Sequence, residues 1–451
     1  MYNRKLFADI CQNIPPGASS DTTSIGLAVD ALNTPYVAYQ DGANGNRATV
    51  RRYNGSAWVA LGTPGFSAGE ASYISLALDR NNIPYVAYRD GGNGGRATVV
   101  RYNGTDWAAV GNVGFSAGSV AYTSIALGSN NVPYVAYVDG GNNSKATVMR
   151  FNGTAWVPVG TGAISAGGAF FTTVAIDSGN VPYVAYMGDQ ASGYRATVMR
   201  FNGSSWVPVG NPSFTPGGCN YLSMTLDGST PYVAFQDAAN GSRASVMRYN
   251  GTAWVNVGSP GFSAGEVIYT SIAIGLGGIP YVVYADLSNQ GKATVMRFNG
   301  TAWEYAGQAG FSAGFASDTT ITIGGNNIPY VAYHDFENCN NVAVVLFTGE
   351  DWVPVACSIC GSGAQACGDR CRLERMLLGI LADEAQIVRC LRQFVCTTLR
   401  EIAADTCLGS QEKVKLAAEL FSAAARKEAA LAEVLGAISK LTGEPAGAPF
   451  M

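Results

Sequence analysis

The sequence predicts a mainly β protein, a seven-bladed β-propeller with 49-residue repeats and four strands per blade, followed by a Cys-rich connector and an α-helical hairpin. Two recurring features of the chain carry this prediction. A Pro-Tyr pair returns every 49 residues, at Pro35, Pro84, Pro133, Pro182, Pro231, Pro280 and Pro329. All seven tryptophans keep the same period within one residue, and they are Trp58, Trp107, Trp156, Trp206, Trp254, Trp303 and Trp352. A period of about 20 to 50 residues is typical of solenoids, propellers or repeat arrays.

The four strands of one repeat follow from its residue pattern. In the sixth copy, YTSIAI and PYVVYAD are rich in β-branched and aromatic residues, and a glycine-rich stretch separates them. Two further segments follow, of the types ATVMRFN and AWVPVG. They are joined by Asn-Gly in six copies and by Thr348-Gly349 in the seventh, and Asn-Gly is a two-residue turn whose positive φ angles suit a tight hairpin. Such units bury their faces only against neighbouring units, which predicts a propeller. A parallel β-solenoid is the alternative, but its repeats are usually shorter and lack two hairpins each.

The two ends of the predicted propeller are expected to meet. PPGASSDTTSIGL, residues 15–27, matches SAGFASDTTITIG, residues 312–324, so the first blade begins with its own linker and inner strand. The seventh blade ends at its fourth strand, DWVPV. The propeller is therefore expected to span residues 15–356, and residues 1–14 form an N-terminal assembly segment.

Composition changes abruptly after the seventh repeat. Residues 357–372 form a Cys-rich connector. In residues 373–443, apolar residues are spaced by three and four, which predicts two amphipathic helices in an antiparallel hairpin, and residues 444–451 form a C-terminal tail. Because two helices alone bury little surface, the hairpin is expected to pack on a partner copy or on the propeller.

Eight of the ten cysteines are candidates for assembly through disulfides. They are Cys11, Cys357, Cys360, Cys367, Cys371, Cys390, Cys396 and Cys407. The four cysteines of the connector, Cys357 to Cys371, also have the short spacings that a four-thiolate zinc site needs, although their second gap is wider than in a zinc ribbon. Disulfides within or between chains are the favoured interpretation of these residues.

The sequence predicts no catalytic centre and no cofactor. The one histidine, His334, lies at a strand-end position that varies among repeats, which predicts a surface residue rather than a catalytic base. With no second histidine, a metal site built from several imidazoles is excluded within this chain. Catalysis uses one asymmetric constellation, whereas seven near-identical repeats supply no distinctive carboxylate pair, so a non-enzymatic protein is expected.

Charged residues recur at both ends of one loop in most repeats. Acidic residues follow the second strand at Asp41, Asp90, Asp139, Asp237, Asp286 and Asp335. Basic residues open the third strand at Arg47, Arg96, Lys145, Arg195, Arg243 and Lys292. The favoured interpretation is that each carboxylate pairs with the cation of its loop and with loop amides. The alternative is a ring of ligand loops for glycans or cations, in which weak sites gain avidity by repetition.

Charge and hydropathy exclude two classes of partner. The chain has 28 basic and 32 acidic residues, a net charge of -4, which argues against nucleic acid because that ligand asks for a basic face. The first residues are not followed by the apolar core of a recognisable signal peptide. No run of 18 apolar residues is present, so no insertion into a membrane is expected.

Two segments resemble known families. ARKEAALAEVLGAISKL, residues 425–441, is similar to the C-terminal helical segment of spore-surface and collagen-like proteins of endospore-forming Bacillota, although Glu433 stands where that family often has histidine. Residues 15–356 resemble the tandem-repeat seven-bladed β-propellers of bacterial surface and secreted proteins. These resemblances imply a location on the cell or spore surface or outside the cell, where thiols are oxidised after the protein has been made.

Together these observations predict a structural subunit of a bacterial, spore-type surface layer or extracellular appendage. Its expected partners are copies of itself, which would join through residues 1–14 and the Cys-rich helical tail into an oligomer or a fibre. Other surface proteins and glycans are further candidate partners. The alternative function is a multivalent, glycan-binding propeller lectin that is tethered by its helical tail.

Overall fold

The computed structural model describes residues 14–16, 25–160, 162–338 and 341–355. The chain divides into two compact units, residues 1–371 and residues 372–451, and every described residue belongs to the first. The described residues form seven antiparallel sheets of four strands, one of which has a fifth strand added. The predicted seven-bladed propeller is therefore confirmed. The predicted connector and helical hairpin, residues 357–443, lie outside the described residues.

Each blade contributes one strand to each of four concentric positions. The first strands are Gly26–Val29, Ala71–Leu78, Val120–Leu127, Ala169–Ile176, Cys219–Asp227, Val267–Gly275 and Ala316–Ile323. The second strands are Pro35–Asp41, Pro84–Asp90, Pro133–Asp139, Pro182–Gly188, Thr230–Asp237, Ile279–Asp286 and Pro329–Asp335. The third strands are Arg47–Tyr53, Arg96–Tyr102, Lys145–Phe151, Ala196–Phe201, Arg243–Tyr249, Lys292–Phe298 and Asn341–Phe347. The fourth strands are Trp58–Ala60, Trp107–Ala109, Trp156–Pro158, Trp206–Pro208, Trp254–Asn256, Trp303–Tyr305 and Trp352–Pro354.

Short 3-10 helices connect the second and third strands. They are Gly42–Asn44, Gly91–Asn93, Gly140–Asn142, Gln190–Ser192, Ala238–Asn240, Leu287–Asn289 and Phe336–Asn338. The first strands of neighbouring blades contact one another in a ring, and the first strand of blade 7 contacts that of blade 1. The first strand is therefore innermost. The linkers that begin with Phe66 and its equivalents carry the chain from a fourth strand to the next first strand, as the sequence predicts.

The second strand is the buried centre of each blade. All seven residues of PYVAYQD in blade 1 are buried. Val37 and Tyr39 pack into a cluster shared with blade 7, whereas Tyr36 and Ala38 pack into a cluster shared with blade 2. Both faces of this strand are thus covered by neighbouring blades. That position explains why its sequence is a continuous apolar run, because a strand covered on both faces has no polar side.

A tryptophan hydrogen bond joins adjacent blades at the interfaces from 1/2 to 6/7. In blade 3, Trp156 Nε1 donates to the main-chain oxygen of Val110 in blade 2 at 2.7 Å. The linker residue Phe115 stacks on the same indole, with ring centroids 4.4 Å apart and an interplanar angle of 11°. The same Nε1 bond to the preceding blade is made by Trp107, Trp206, Trp254, Trp303 and Trp352. This one side chain therefore buries apolar area and satisfies a polar atom at every such interface.

The turn between the third and fourth strands differs from the predicted Asn-Gly turn. Asn54 N donates to the Ala57 carbonyl at 3.0 Å, so Gly55 and Ser56 are the two central residues. The Asn54 side chain accepts from the amides of Ser56 and Ala57 at 3.0 and 2.8 Å. Only the glycine has a positive φ, 98°. Asparagine therefore stabilises this turn by accepting hydrogen bonds rather than by adopting a left-handed backbone.

The seam of the ring is closed by the N-terminal part of the chain. The strand Ile14–Pro16 pairs with the third strand of blade 7, where Ile14 lies opposite Val342. In blade 1 the position equivalent to Val342 is Ala48, whose carbonyl accepts from the linker amide of Phe66 at 3.0 Å. An upstream segment thus takes the place that a downstream linker takes in the other blades. The predicted assembly role of residues 1–14 stays a prediction, because residues 1–13 lie outside the described ones.

The first strand of blade 1 lies three residues further along the chain than the match of residues 15–27 to residues 312–324 implies. That match makes Gly26 equivalent to Ile323. In the structure Gly26 lies opposite Ala38, as Thr320 lies opposite Ala332 in blade 7. The equivalent of Gly26 is therefore Thr320, so the N-terminal linker is three residues longer than that of blade 7.

The innermost strands of blades 2 to 7 share a strained bulge that the sequence does not predict. Tyr73, Tyr122 and Tyr221 have φ angles of 50°, 52° and 48°, in a region that bulky residues rarely adopt. The register shifts at the same place, as between Ser72 and Ser75. Thr123 Oγ1 donates to the Tyr73 carbonyl of the preceding blade. The bulge therefore turns a carbonyl towards the adjacent blade, where a hydroxyl satisfies it. In the described part of the chain, no helix is long and apolar enough to cross a membrane.

A matched pair of glycine substitutions tests the close approach of blades. Gly111 and Gly45 both have a φ of 69°, but a Cβ at Gly111 would lie 2.8 Å from Phe151 Cε2, whereas a Cβ at Gly45 would meet nothing within 4 Å. Both Gly→Ala variants should lose about 1 kcal/mol because alanine disfavours that backbone. Gly111→Ala should lose about 1 to 3 kcal/mol more, because the blades must separate. Chemical denaturation measures this difference, and equal losses would contradict the assigned contact.

Candidate functional site

The six acidic residues of the predicted ligand loops are buried hydrogen-bond acceptors. Asp41 is 1% exposed and precedes the 3-10 helix Gly42–Asn44. Its carboxylate accepts from Ala43 N at 3.1 Å, from Asn44 Nδ2 at 2.9 Å and from Thr49 Oγ1 at 2.8 Å. Asp90 and Asp237 have the equivalent three partners. The carboxylate oxygens of these three residues are thus occupied by donors of the loop and of the third strand.

The fourth blade contains a member of this set that the sequence analysis missed. Its second strand ends at Gly188, and Asp189 is displaced by one position because this loop has an extra residue. Asp189 Oδ1 nevertheless accepts from Ala191 N at 3.1 Å at the start of the 3-10 helix Gln190–Ser192. The signal in the sequence is an Asp before a short polar loop, which recurs in this repeat once the extra residue is taken into account.

The cations at the other end of these loops do not form the predicted ion pairs. Arg47, Arg96, Arg195 and Arg243 are exposed. Among the described residues, the only ion pair within 4.0 Å joins Arg297 and Glu304. Amide and hydroxyl donors contact Asp41, Asp90 and Asp237 without a cation. The predicted pairing of loop carboxylate with loop cation is therefore wrong, whereas the predicted contact with loop amides is confirmed.

His334 is buried rather than at the surface, which corrects the sequence-based prediction. It is 1% exposed and lies opposite Val342 near the end of the second strand of blade 7. Gln40 and Gln236 occupy the equivalent position in blades 1 and 5, and both contact the next blade, through Glu70 and the Val267 carbonyl. This position varies because it packs at an interface between blades, where residues of different shape are accommodated.

Cys219 is the one cysteine among the described residues, and it is a free, buried thiol. Burial raises the pKa of this thiol to about 12, and it lies in the core at the start of the first strand of blade 5. A thiol held neutral in this way is a small apolar side chain. The eight candidate assembly cysteines and the zinc alternative lie outside the described residues. Within them, no group of three His, Cys, Asp or Glu side chains is placed to hold a metal ion.

A groove lies between blades 3 and 4 on the surface of the described residues. We call it the 3/4 groove, and its volume is about 620 Å³. Blade 3 contributes Tyr134, Arg150, Pro158, Val159 and Gly160, and blade 4 contributes Asn180, Val181, Pro182, Arg200, Phe201, Asn202 and Gly203. Tyr183 lies opposite Arg200, at the end of the second strand remote from the acidic loop. The groove therefore opens on the face of the propeller opposite to the predicted ligand loops.

The base of the 3/4 groove is shaped by a close contact between blades. Gly160 has a φ of 79°, and a Cβ there would lie 3.2 Å from Trp206 Cδ1 and 3.3 Å from Phe201 Cε2. Glycine thus lets the backbone of blade 3 reach the aromatic pair of blade 4. At the inner edge, Asn180 Oδ1 accepts from the amide and the hydroxyl of Ser129 at 2.6 and 2.9 Å. Contacts between blades 3 and 4 therefore fix both the base and the inner edge of the groove.

The arginines of this groove belong to a repeated set that the sequence analysis did not single out. At the end of the third strand, each lies opposite the tyrosine of the Pro-Tyr pair. The set comprises Arg52, Arg101, Arg150, Arg200, Arg248 and Arg297, and blade 7 has Leu346 there. All except Arg297 are exposed. The signal in the sequence was an arginine before the Phe-Asn or Tyr-Asn pair in six repeats.

The lining of the 3/4 groove combines polar groups with apolar surface. It offers guanidinium, amide and phenol groups beside the apolar surfaces of Pro158, Pro182 and Phe201. No carboxylate or imidazole is among these lining residues. Hydrolysis of a glycosidic bond needs a pair of carboxyl groups, which this groove does not supply. The arrangement can hold a polar ligand that also has an apolar face.

A second cleft, of about 240 Å³, lies over the turns between the first and second strands of blades 2 to 4. Its polar lining includes Asp79 and Asp177. Asp79 Oδ1 accepts from the amides of Asn81 and Ile83 at 2.8 and 2.9 Å. These carboxylates shape their own turns, so this cleft offers fewer free polar groups than the 3/4 groove.

Comparison with known proteins shows the fold and no family. No protein-family model and no curated protein sequence matches the chain. Among solved structures, an ulvan lyase bound to -[GlcA(1-4)Rha3S]- is similar over 77% of this chain and 96% of its own, with a TM-score of 0.50 and 13% identity. A fucose-specific lectin from Aleuria aurantia is similar over 78% of this chain and 100% of its own, with a TM-score of 0.45 and 15% identity. At such identities, similarity extends to the propeller architecture alone.

Asp335 of blade 7 offers a test of how the acidic loops are stabilised. Burial raises the pKa of this carboxyl, and blade 7 has Ala343 where blade 1 has the hydroxyl donor Thr49. Because the pKa is higher in the folded chain than in the unfolded one, the stability that this group contributes is present at acid pH. It is lost as the pH rises through the folded pKa.

Ala343→Thr should supply a donor to the ionised carboxylate and lower the pKa of Asp335. We expect a gain of about 1 kcal/mol in unfolding free energy near pH 7 and a smaller gain near about pH 3. Denaturation at both pH values measures this effect. The control is the same substitution in an Asp335→Asn background, where the pH dependence of the gain should vanish. An equal gain at both pH values in the wild-type background would refute the assigned interaction.

Proposed function

We propose that the propeller binds carbohydrate through the grooves between its blades. The observation that carries this proposal is the lining of the 3/4 groove, where hydrogen-bond donors stand beside exposed apolar surface. Sugars present hydroxyl groups around an apolar C–H face, and a binding site for them needs both kinds of contact. The ulvan lyase named above illustrates that a propeller can bind polysaccharide, but the proposal depends on the residues of this groove.

Repetition is the second support for a glycan-binding role. The tyrosine and arginine at the edge of the 3/4 groove recur, with one register, in blades 1 to 6. A single open groove binds one saccharide weakly. Several equivalent grooves on one face can engage successive units of one polymer, which raises the overall affinity without any new contact. Near-identical blades therefore serve a multivalent binding function.

The predicted structural subunit remains a second interpretation of the whole chain. Its predicted contacts involve residues 1–14 and the Cys-rich helical tail, of which the structure describes only Ile14, and nothing in the described residues supports it. A surface or extracellular location suits both functions. Glycoside hydrolysis has less support, because the 3/4 groove lacks the usual carboxylate pair, and an assay for unsaturated products tests elimination.

Stoichiometry distinguishes this proposal from a single-site protein. We expect the full chain to bind a matching oligosaccharide weakly, with more than one copy per chain, in native mass spectrometry and calorimetry. The corresponding polymer should bind about 10² to 10⁴ times more tightly, because its units engage several grooves. A glycan array identifies the ligand first.

Three results would count against a multivalent carbohydrate-binding protein. Failure of the folded full chain to bind any glycan of a broad array would remove the proposal. Saturation by one saccharide per chain, with no gain for the polymer, would indicate a single specialised site. Cleavage of the bound polymer, seen as new reducing ends or unsaturated products, would identify an enzyme.

A further inference from the structure

Resting on the proposed carbohydrate-binding function, we infer that the preferred ligand is an anionic polysaccharide, bound along an arc of arginines on one face of the propeller. The arc consists of Arg101, Arg150, Arg200 and Arg248, which belong to blades 2 to 5. It spans three consecutive grooves, the 2/3, 3/4 and 4/5 grooves, named by the blades that flank them. Carboxylates or sulfate esters of the polymer are the groups that these side chains would bind.

Each groove of the arc receives a guanidinium from both of its blades. In the 3/4 groove these are Arg150 and Arg200, and both line the cleft. The equivalent arginines of the 2/3 and 4/5 grooves occupy the same register opposite Tyr85 and Tyr232. All four side chains are exposed. A planar guanidinium binds a carboxylate or sulfate with two parallel hydrogen bonds, which makes arginine the preferred residue for such groups.

Differences among the repeats define where the arc ends on one side. In blade 6, Arg297 Nε donates to Glu304 Oε1 at 2.8 Å, and this hydrogen bond raises the pKa of the guanidinium. Glu304 stands where blades 3 to 5 have valine at Val157, Val207 and Val255. In blade 7 the arginine is replaced by Leu346. The guanidinium is therefore neutralised by a carboxylate in blade 6 and absent in blade 7.

The other end of the arc lies at the 1/2 groove. There the exposed Asp106 accepts from the amide and the hydroxyl of Thr63, both at 2.9 Å, across the boundary between blades 1 and 2. These hydrogen bonds lower the pKa of Asp106, so it is anionic over the physiological range. In blade 1, the Tyr36 hydroxyl lies 3.5 Å from the carboxylate of Asp30 and also interacts with Arg52. The Asp106 carboxylate opposes the guanidinium groups of Arg52 and Arg101 at this groove, so an anionic polymer would be held less tightly here than along the arc.

The turns between the first and second strands of blades 2 to 5 carry three carboxylates, Asp79, Asp177 and the exposed Asp227, against the four arginines of the arc and Arg80. Asp79 and Asp177 are 8% and 9% exposed and accept hydrogen bonds from backbone amides of their own turns. Arg80 adds an exposed cation to the turn of blade 2. The net charge of -4 for the whole chain therefore conceals a basic strip on this face.

Two substitutions together lower the positive charge of all three grooves of the arc. Arg101→Leu removes one guanidinium from the 2/3 groove, and Arg200→Leu removes one from both the 3/4 and the 4/5 groove. Leu346 shows that the fold accepts leucine at this position. The matched control is Arg96→Leu with Arg195→Leu, which removes two exposed cations from the same two blades at the opposite ends of the third strands.

Binding of the full chain is measured against four polymers: polygalacturonate, dextran sulfate, neutral dextran and single-stranded DNA. We expect binding to polygalacturonate, dextran sulfate or both, but not to dextran, with affinity that falls as salt increases. The Arg101→Leu/Arg200→Leu variant should lose at least about tenfold in affinity, whereas the control should stay within about twofold. The preferred polymer of the first two indicates whether carboxylate or sulfate is the recognised group.

Different results would overturn the anionic ligand and the proposed carbohydrate binding. Salt-independent binding to neutral glycans on the array, with no effect of the arginine substitutions, would leave carbohydrate binding intact and overturn the anionic ligand. Equal losses in the variant and its control would also overturn it, since the arc would then have no special role. Binding to DNA as tight as to either anionic polysaccharide would indicate a general polyanion surface and overturn the assignment to glycans. Binding to no glycan at all would remove both proposals.

Discussion

The propeller depends on one repeated interaction, the hydrogen bond from a tryptophan Nε1 to a main-chain oxygen of the preceding blade. Trp156 makes it at 2.7 Å to Val110, beneath the stacked ring of Phe115. An indole buries a large apolar area, but its N–H must find an acceptor when it leaves water. Because that acceptor lies on the preceding blade, burial of the indole and pairing of its N–H both require contact between the two blades. Neither blade can bury its tryptophan face without its neighbour, which makes closure of the ring a condition for stability of each unit.

Near identity of the repeats leaves the differences among them easy to interpret. Blade 7 lacks the loop cation at Asn341, the hydroxyl donor at Ala343 and the groove arginine at Leu346. It is also the blade that receives the N-terminal strand Ile14–Pro16. The seam therefore has its own packing requirements, and it contributes least to the basic strip. Blades 2 to 5, remote from the seam, keep the groove arginine exposed.

The two faces of the propeller use polar residues differently. On one face, Asp41 and its equivalents are buried and accept hydrogen bonds from short helices and hydroxyl groups, so their role is to hold loops. On the other face, arginines stand exposed at grooves between blades. A carboxylate at the end of a strand is a candidate ligand-binding group when only the sequence is known. When it is buried and accepts several hydrogen bonds from the protein, its role is structural. From sequence alone, an arginine that points outward from a strand is interpreted as an ordinary surface residue. Its role in a groove is visible only when the facing residues of the adjacent blade are known.

The sequence by itself determined the number of blades, the strand order and the linkers, because a 49-residue period and two hairpin patterns per repeat depend only on local chemistry. It also placed one tryptophan in each blade. Only the tertiary structure decided which polar groups are free. His334 is buried, the loop aspartates are occupied and the 3/4 groove exists because side chains about 50 residues apart meet across a blade boundary. Period and composition describe one blade, whereas a groove is a property of two blades and of the twist with which they pack.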